Sequence, residues 1–152
     1  MKLKILLLLV IVSACTAKEH EVPRGSSWED LIAGEWIRTG YFFNKQNHGP
    51  GRDLYAEWDS CEQDDEMHFH SNKTYSYLSG VTRCRFTEPD TFWTGGWGLK
   101  GNKLTLSADL PGSEPYAKTI SILTQDSLVL TFLTQPPPGD TIYWYYESFR
   151  RK

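Results

Sequence analysis

Between Cys61 and Cys84, apolar and polar residues alternate with a period of two. That period suits a pleated strand with one covered face and suits no helix. Met67 and Phe69 fall on one side, His68 and His70 on the other. Ser71, Asn72 and Lys73 make a tight turn, and Tyr75 and Tyr77 then resume the apolar side. A hairpin with one apolar face is marginal alone, so further strands must cover it. The chain supplies them. Leu104, Leu106 and Ala108 alternate with Lys103, Thr105 and Ser107, and residues 91–99, 116–123, 128–133 and 141–150 read as strands of the same kind. Before the hairpin, residues 35–43 form the first strand, preceded by a short helix over 27–34 that Ser27 caps and Gly34 ends. Most connections are too short for a parallel crossover, which makes the strands antiparallel neighbours. The expected class is all-β: about eight antiparallel strands in an up-and-down barrel, closed so that no edge is left bare, with a short N-terminal helix.

Six Trp, eight Tyr and seven Phe fit this class, because aromatic side chains favour pleated surfaces. The long connection 44–65 contains Leu54, Tyr55 and Trp58 at helical spacing, so a turn or two of helix is expected there as a flap over one end of the barrel. The formal charge is −3 for the whole chain, and no basic stripe is present, which argues against nucleic acid as a partner.

The N-terminus carries two lysines within Met1, Lys2, Leu3 and Lys4, then an unbroken apolar run over residues 5–12. The run is too short to span a bilayer and has the length of a secretory signal. It ends in Val12, Ser13, Ala14 and Cys15, which resembles the bacterial lipobox, whose cysteine is acylated and becomes the new N-terminus. The resemblance implies a signal peptide over 1–14, a membrane-anchored tether over 15–27 and a barrel domain over 28–152. Thr16 is not the aspartate that retains lipoproteins in the inner membrane of some bacteria, so the expected address is the cell envelope, at the outer membrane. With Cys15 taken by lipid, Cys61 and Cys84 remain as an even pair in an oxidising compartment and are expected to form a disulfide.

Gly34, Glu35 and Trp36 on the first strand, after a short helix, resemble the Gly-x-Trp motif of lipocalins. In that family the tryptophan plugs the barrel base and a late arginine packs on its ring, which implies that role for Arg150 or Arg151. The chain is also similar to lipocalin-like domains of bacterial lipoproteins. The shared features are Cys61, Asp64 and Asp65 before a strand, a second cysteine after the hairpin, and the run from Gly96 through Trp97, Gly101, Asn102 and Leu104 to Leu106.

Alternation places Trp36, Met67, Phe69, Tyr75, Tyr77, Trp93, Trp97, Ile120, Ile122, Trp144 and Tyr146 inside the barrel. Two accounts follow: these side chains fill the interior, or some of them line a pocket for a small apolar ligand. Gly95, Gly96 and Gly98, beside Trp93 and Trp97, point to a gap. His68 and His70 share one face at a spacing that metal sites use, but they face outward beside acidic residues, and no metal or cofactor is expected. Glu62, Asp64, Asp65 and Glu66 lack the loop pattern of a calcium site and read as a solvated turn. No nucleophile elbow or phosphate loop is present, so an enzyme is not expected. The expected function is non-enzymatic binding of a small apolar ligand by a lipid-anchored barrel. The alternative is a protein-interaction module with a filled barrel, making contact through residues 41–58 or 136–139.

Overall fold

The structure, a computed structural model, describes residues 27–45, 51–134 and 143–152. Cys15 with its tether, His48 and the proline turn 136–139 lie outside the described residues. Ser27 caps α1 (Trp28–Ile32) in a reciprocal arrangement: Asp30 N donates to Ser27 Oγ at 3.1 Å, and Ser27 N donates to Asp30 Oδ2 at 3.0 Å. The helix presents Leu31 and Ile32 to the barrel, and both are buried.

Among the described residues nine strands follow: β1 (Gly34–Asn44), β2 (Arg52–Asp53), β3 (Glu66–Phe69), β4 (Thr74–Leu78), β5 (Thr91–Lys100), β6 (Lys103–Ala108), β7 (Tyr116–Leu123), β8 (Ser127–Leu133) and β9 (Trp144–Arg151). All pairings are antiparallel, in the order β1-β3-β4-β5-β6-β7-β8-β9, and β9 returns to β1 from Trp36↔Arg151 to Asn44↔Trp144. The result is a closed eight-stranded up-and-down barrel, with β2 as a two-residue addition beside the end of β1. The expected class and the helix are therefore observed. The connection between β1 and β3 holds a 3₁₀ turn (Tyr55–Glu57) and a single helical turn, α2 (Ser60–Gln63).

Cys61 in α2 and Cys84 in the β4–β5 loop form a disulfide, with Cα atoms 5.2 Å apart. Behind it, the acidic residues are more structured than a solvated turn. Asp65 and Glu66 are buried, and Asp64 Oδ2 accepts from the backbone N–H of Thr82 at 2.8 Å.

The end of the barrel covered by α1 is filled. Trp36 is fully buried and donates from Nε1 to the Ile32 carbonyl at 2.8 Å. Arg151 lies 4.4 Å from the Trp36 ring centre; it donates to the carbonyls of Ala33 (3.0 Å) and Gln125 (2.5 Å) and also to that of Leu31. Of the two candidate arginines, Arg151 is the one on the plug. Gly34 has a φ of +142°, and a Cβ there would stand 2.2 Å from Arg151 Nη1, so only glycine leaves room for this guanidinium. Around the plug, Phe69 meets Trp97 edge-on at 5.9 Å, and Tyr75, Leu104, Leu106, Leu128 and Leu130 close the remaining space.

Three residues expected inside lie elsewhere, one through a bulge in β7 and two because β9 alternates with the opposite parity. A bulge between Ile120 and Ile122 inserts one residue, so Leu123 turns inward and Ile122 is left 42% exposed. In β9 it is Glu147 and Phe149 that are buried; Trp144 and Tyr146 fall on the outer face of that strand, contrary to the inward positions expected of them. Of the gap expected beside the glycines, the space at Gly95 is filled, whereas a Cβ on Gly98 would meet nothing within 4 Å. A Cβ on Gly95 would come within 1.9 Å of the Ser107 carbonyl oxygen and 2.8 Å of the Tyr75 ring, so that space is occupied.

Candidate functional site

Among the described residues, the other end of the barrel is open and differently lined. A cavity of about 290 Å³ is bounded by Tyr41, Trp58, Tyr77, Trp93 and Tyr116, with Met67 deeper and Arg38, Lys118 and Glu147 among them. Three charged side chains in a barrel interior are held there by one another. Arg38 comes from β1, Lys118 from β7 and Glu147 from β9, and all three residues are buried. Glu147 is bonded closely to Lys118 Nζ and lies 3.5 Å from Arg38 Nη2. A charge so placed is tolerable only with partners, since desolvation otherwise outweighs what burial gives.

Arg38 is the hub of the cluster. Its Nη1 donates to the Tyr77 hydroxyl at 3.1 Å, and that hydroxyl donates on to Asp65 Oδ2 at 2.7 Å. Four rings surround the guanidinium carbon: Trp58 at 5.2 Å, Tyr77 at 5.4 Å, Phe149 at 5.6 Å and Tyr41 at 5.9 Å. The Nε–H of Arg38 is buried and has no hydrogen-bond partner among the described residues. Trp58 reaches the site from the segment between β2 and α2 and stacks on Tyr41 with ring centres 5.2 Å apart. The Tyr55 hydroxyl steadies that segment, within hydrogen-bond distance of the carbonyls of Arg38 (3.0 Å) and Gln63 (2.7 Å). The expected flap is thus present in the part described, with Trp58 as its contact to the cavity.

Burial is the main reason that the phenol pKa values here are raised. Tyr41 is pushed up to about 12, with the charge of Glu147 adding to burial. Tyr77 and Tyr116 are raised further, chiefly by burial. All three are therefore neutral hydroxyls at physiological pH, able to donate. Burial also raises Asp65, against the bond from Tyr77 and the charge of Arg38.

A second depression of about 510 Å³ lies on the far side of Tyr77 and Trp93, whose rings stack at 4.5 Å. The disulfide, Glu62, Asp65, residues 85, 87–89 and Phe92 complete its wall. The Tyr77–Trp93 pair is therefore a partition shared by the barrel cavity and this outer groove.

Of the residues expected to line a pocket, Met67, Tyr77 and Trp93 do so. Trp36, Phe69, Tyr75 and Trp97 belong to the filled end, and Trp144 and Tyr146 to the outer face of β9. Arg38, Tyr41, Tyr116, Lys118 and Glu147 were missed, and Trp58 was expected only as part of the flap, although alternation from a buried neighbour fits the three charged residues. Arg38 is two residues from Trp36, Lys118 two from Ile120, and Glu147 two from Phe149, and each partner is buried. Charged side chains are rarely buried without partners, and Glu147 has the opposite parity to Trp144 and Tyr146, which were expected inside.

On the outer face of β1 and β3, Glu35, Glu66 and His68 bring ligand-type atoms within 4.8 Å of one another. His68 Nε2 is 2.7 Å from Glu66 Oε2 and 3.9 Å from Glu35 Oε2, while Lys152 Nζ sits 2.8 Å from Glu66 Oε1. The ammonium already supplies the cation that these carboxylates need. Burial works against ionised Glu66, but the bonds from Lys152 and His68 outweigh it and hold the carboxyl below its ordinary value. His70 is exposed and faces Ser76 Oγ at 3.5 Å, so the two histidines do not converge.

A family model described as a lipocalin-like domain matches residues 32–130. The chain belongs to the lipocalin-like domain family. This match spans the Trp36 plug, the cysteine pair and two of the three charged residues of the lipocalin-like cavity. The lipocalin-like chain is similar in structure to a lipocalin-like protein from Bacteroides uniformis, with 16% identity, 80% of this chain and 98% of that chain covered, and a TM-score of 0.47. An uncharacterized protein from Bacteroides eggerthii is similar to the same extent, with 12% identity, coverage of 80% and 99%, and a TM-score of 0.47. Among curated proteins no sequence matches.

Proposed function

We propose that this lipocalin-like chain is a non-enzymatic binding protein that holds a small molecule in the open end of its barrel. One observation carries the reading: an aromatic-walled cavity of about 290 Å³ sits above a filled base and has buried polar side chains in its lining. The ligand differs from the purely apolar one expected, because Arg38, Lys118 and Glu147 share its space. A flat body between Trp58, Trp93 and the tyrosines, with a polar group turned inward, suits this lining.

The test is titration with a panel of fatty acids, haem and flat aromatics, followed by tryptophan fluorescence. Binding at this site is expected to quench Trp58 and Trp93, and replacing both by phenylalanine is expected to remove the response. A panel without effect on the unaltered protein refutes the reading.

The envelope location is part of the same proposal. Cys15 is the lipidated residue, and the membrane is a partner through that anchor, on the support of Val12, Ser13 and Ala14 after the apolar run. Incorporation of a palmitate analogue, lost on Cys15→Ala, checks it. A protein-interaction role draws support from a different feature: Val81 (91% exposed) and Phe86 (fully exposed) on the β4–β5 loop tied by the disulfide.

A further inference from the structure

We infer that the molecule bound in the barrel mouth carries a single negative charge, a carboxylate or its equivalent, and that Arg38 is its partner. The inference rests on the small-molecule reading above and deepens it. The cavity lining holds two cations, Arg38 and Lys118, against one carboxylate, Glu147. Asp65 does not line it; it stands behind the Tyr77 ring and faces the outer groove. Among the described residues, the cavity lining therefore has a surplus of one positive charge.

That surplus belongs to Arg38. Glu147 is held tightly by Lys118, and its approach to Arg38 Nη2, at 3.5 Å, is too long for a good hydrogen bond. Arg38 Nη1 is bonded to a neutral phenol, and Nε has no partner among the described residues although the residue is more than nine-tenths buried. A buried donor left unpaired is unfavourable, and a planar guanidinium is suited to take a carboxylate through two of its N–H groups. Asp65 meets the Arg38 guanidinium only through the Tyr77 hydroxyl, which accepts from Arg38 and donates to Asp65, so the two side chains form no direct ion pair among the described residues. The four rings around the guanidinium keep water from it, which strengthens attraction to an entering anion.

Three nearly isosteric probes decide the matter: phenylbutyrate, phenylbutyramide and phenylbutylamine, titrated calorimetrically at pH 7 into the lipocalin-like domain. The acid is expected to bind about tenfold or more tightly than the amide, as for a hydrogen bond to a charged group, and the amine most weakly. Arg38→Met is expected to bring the acid down to the affinity of the amide while leaving the amide itself little changed. Glu147→Gln, which removes the one competing anion, is expected to strengthen binding of the acid. Should either variant fail to fold, as judged by circular dichroism, the ratio of acid to amide on the unaltered protein still decides. Equal affinities for acid and amide, or a preference for the amine, overturn the inference and leave the small-molecule reading standing. Absence of binding by all three overturns both.

Discussion

Replacing Glu147 by alanine tests whether the charges of the barrel mouth are held as a buried cluster. Glu147 is 4% exposed, Lys118 6% and Arg38 8%, so the substitution leaves two cations in a desolvated site without their carboxylate. Breaking a buried ion pair from one side costs about 3–5 kcal/mol, most of it the penalty of the unpaired charge. Removing both members of the close pair, as Lys118→Met with Glu147→Met, avoids that penalty at Lys118, leaves it only at Arg38, and puts apolar chains of similar length in their place. The double variant is therefore expected to be more stable than Glu147→Met alone, and the cycle of Lys118→Met, Glu147→Met and the double variant should give a coupling of about 2 kcal/mol or more. Urea unfolding followed by tryptophan fluorescence reads this directly. With a slope of about 1–3 kcal/mol per molar for a domain of this size, Glu147→Ala should unfold at a urea concentration lower by roughly 2 M. A midpoint shift of Glu147→Ala below about 0.5 M, with additive effects in the double variant, would mean that water already solvates the cluster, and the argument from desolvation would fail.

Arg151→Ala removes three donors to the carbonyls of Leu31, Ala33 and Gln125 and the cover of the Trp36 ring, and is expected to cost about 2–4 kcal/mol in calorimetric unfolding. Arg151→Lys should not restore it, because one ammonium cannot match that planar fork. Gly95→Ala drives a Cβ into the Ser107 carbonyl and is expected to lose about 1–3 kcal/mol, whereas Gly98→Ala, with nothing within 4 Å, should be neutral or slightly stabilising in the same thermal melts. Glu66, whose folded pKa lies below its ordinary value of 4.5, contributes stability that is present above that value and lost as pH falls through the folded one. Glu66→Gln should therefore lie furthest below the unaltered protein near neutrality and converge on it in acid, and a gap that does not narrow between about pH 5 and pH 3 would refute this. The raised pKa of Asp65 acts with opposite sign and is common to both proteins.

Local sequence determined much of this molecule. Met67 with Phe69, and Leu104 with Leu106, declare strands through a period that each strand carries within itself. Ser27 and Asp30 declare the helix start through bonds three residues apart, and Gly34 with Trp36 and a late arginine declare the plugged base of a lipocalin-like barrel. The cysteine pair was legible by count. The site was legible only in part. Tyr77 and Trp93 follow from alternation, but which aromatic residues pack solidly and which leave space depends on neighbours from other strands, as the Tyr75 ring and the β6 backbone show by occupying the space beside Gly95. Bulges, which arise where paired strands disagree in length, reversed the facing of Ile122. The charged cluster needed the tertiary structure most. Arg38, Lys118 and Glu147 come from strands that meet across a closed barrel. Only that meeting supplies the counter-charges that make their burial tolerable, and no stretch of sequence short enough to show a period contains all three.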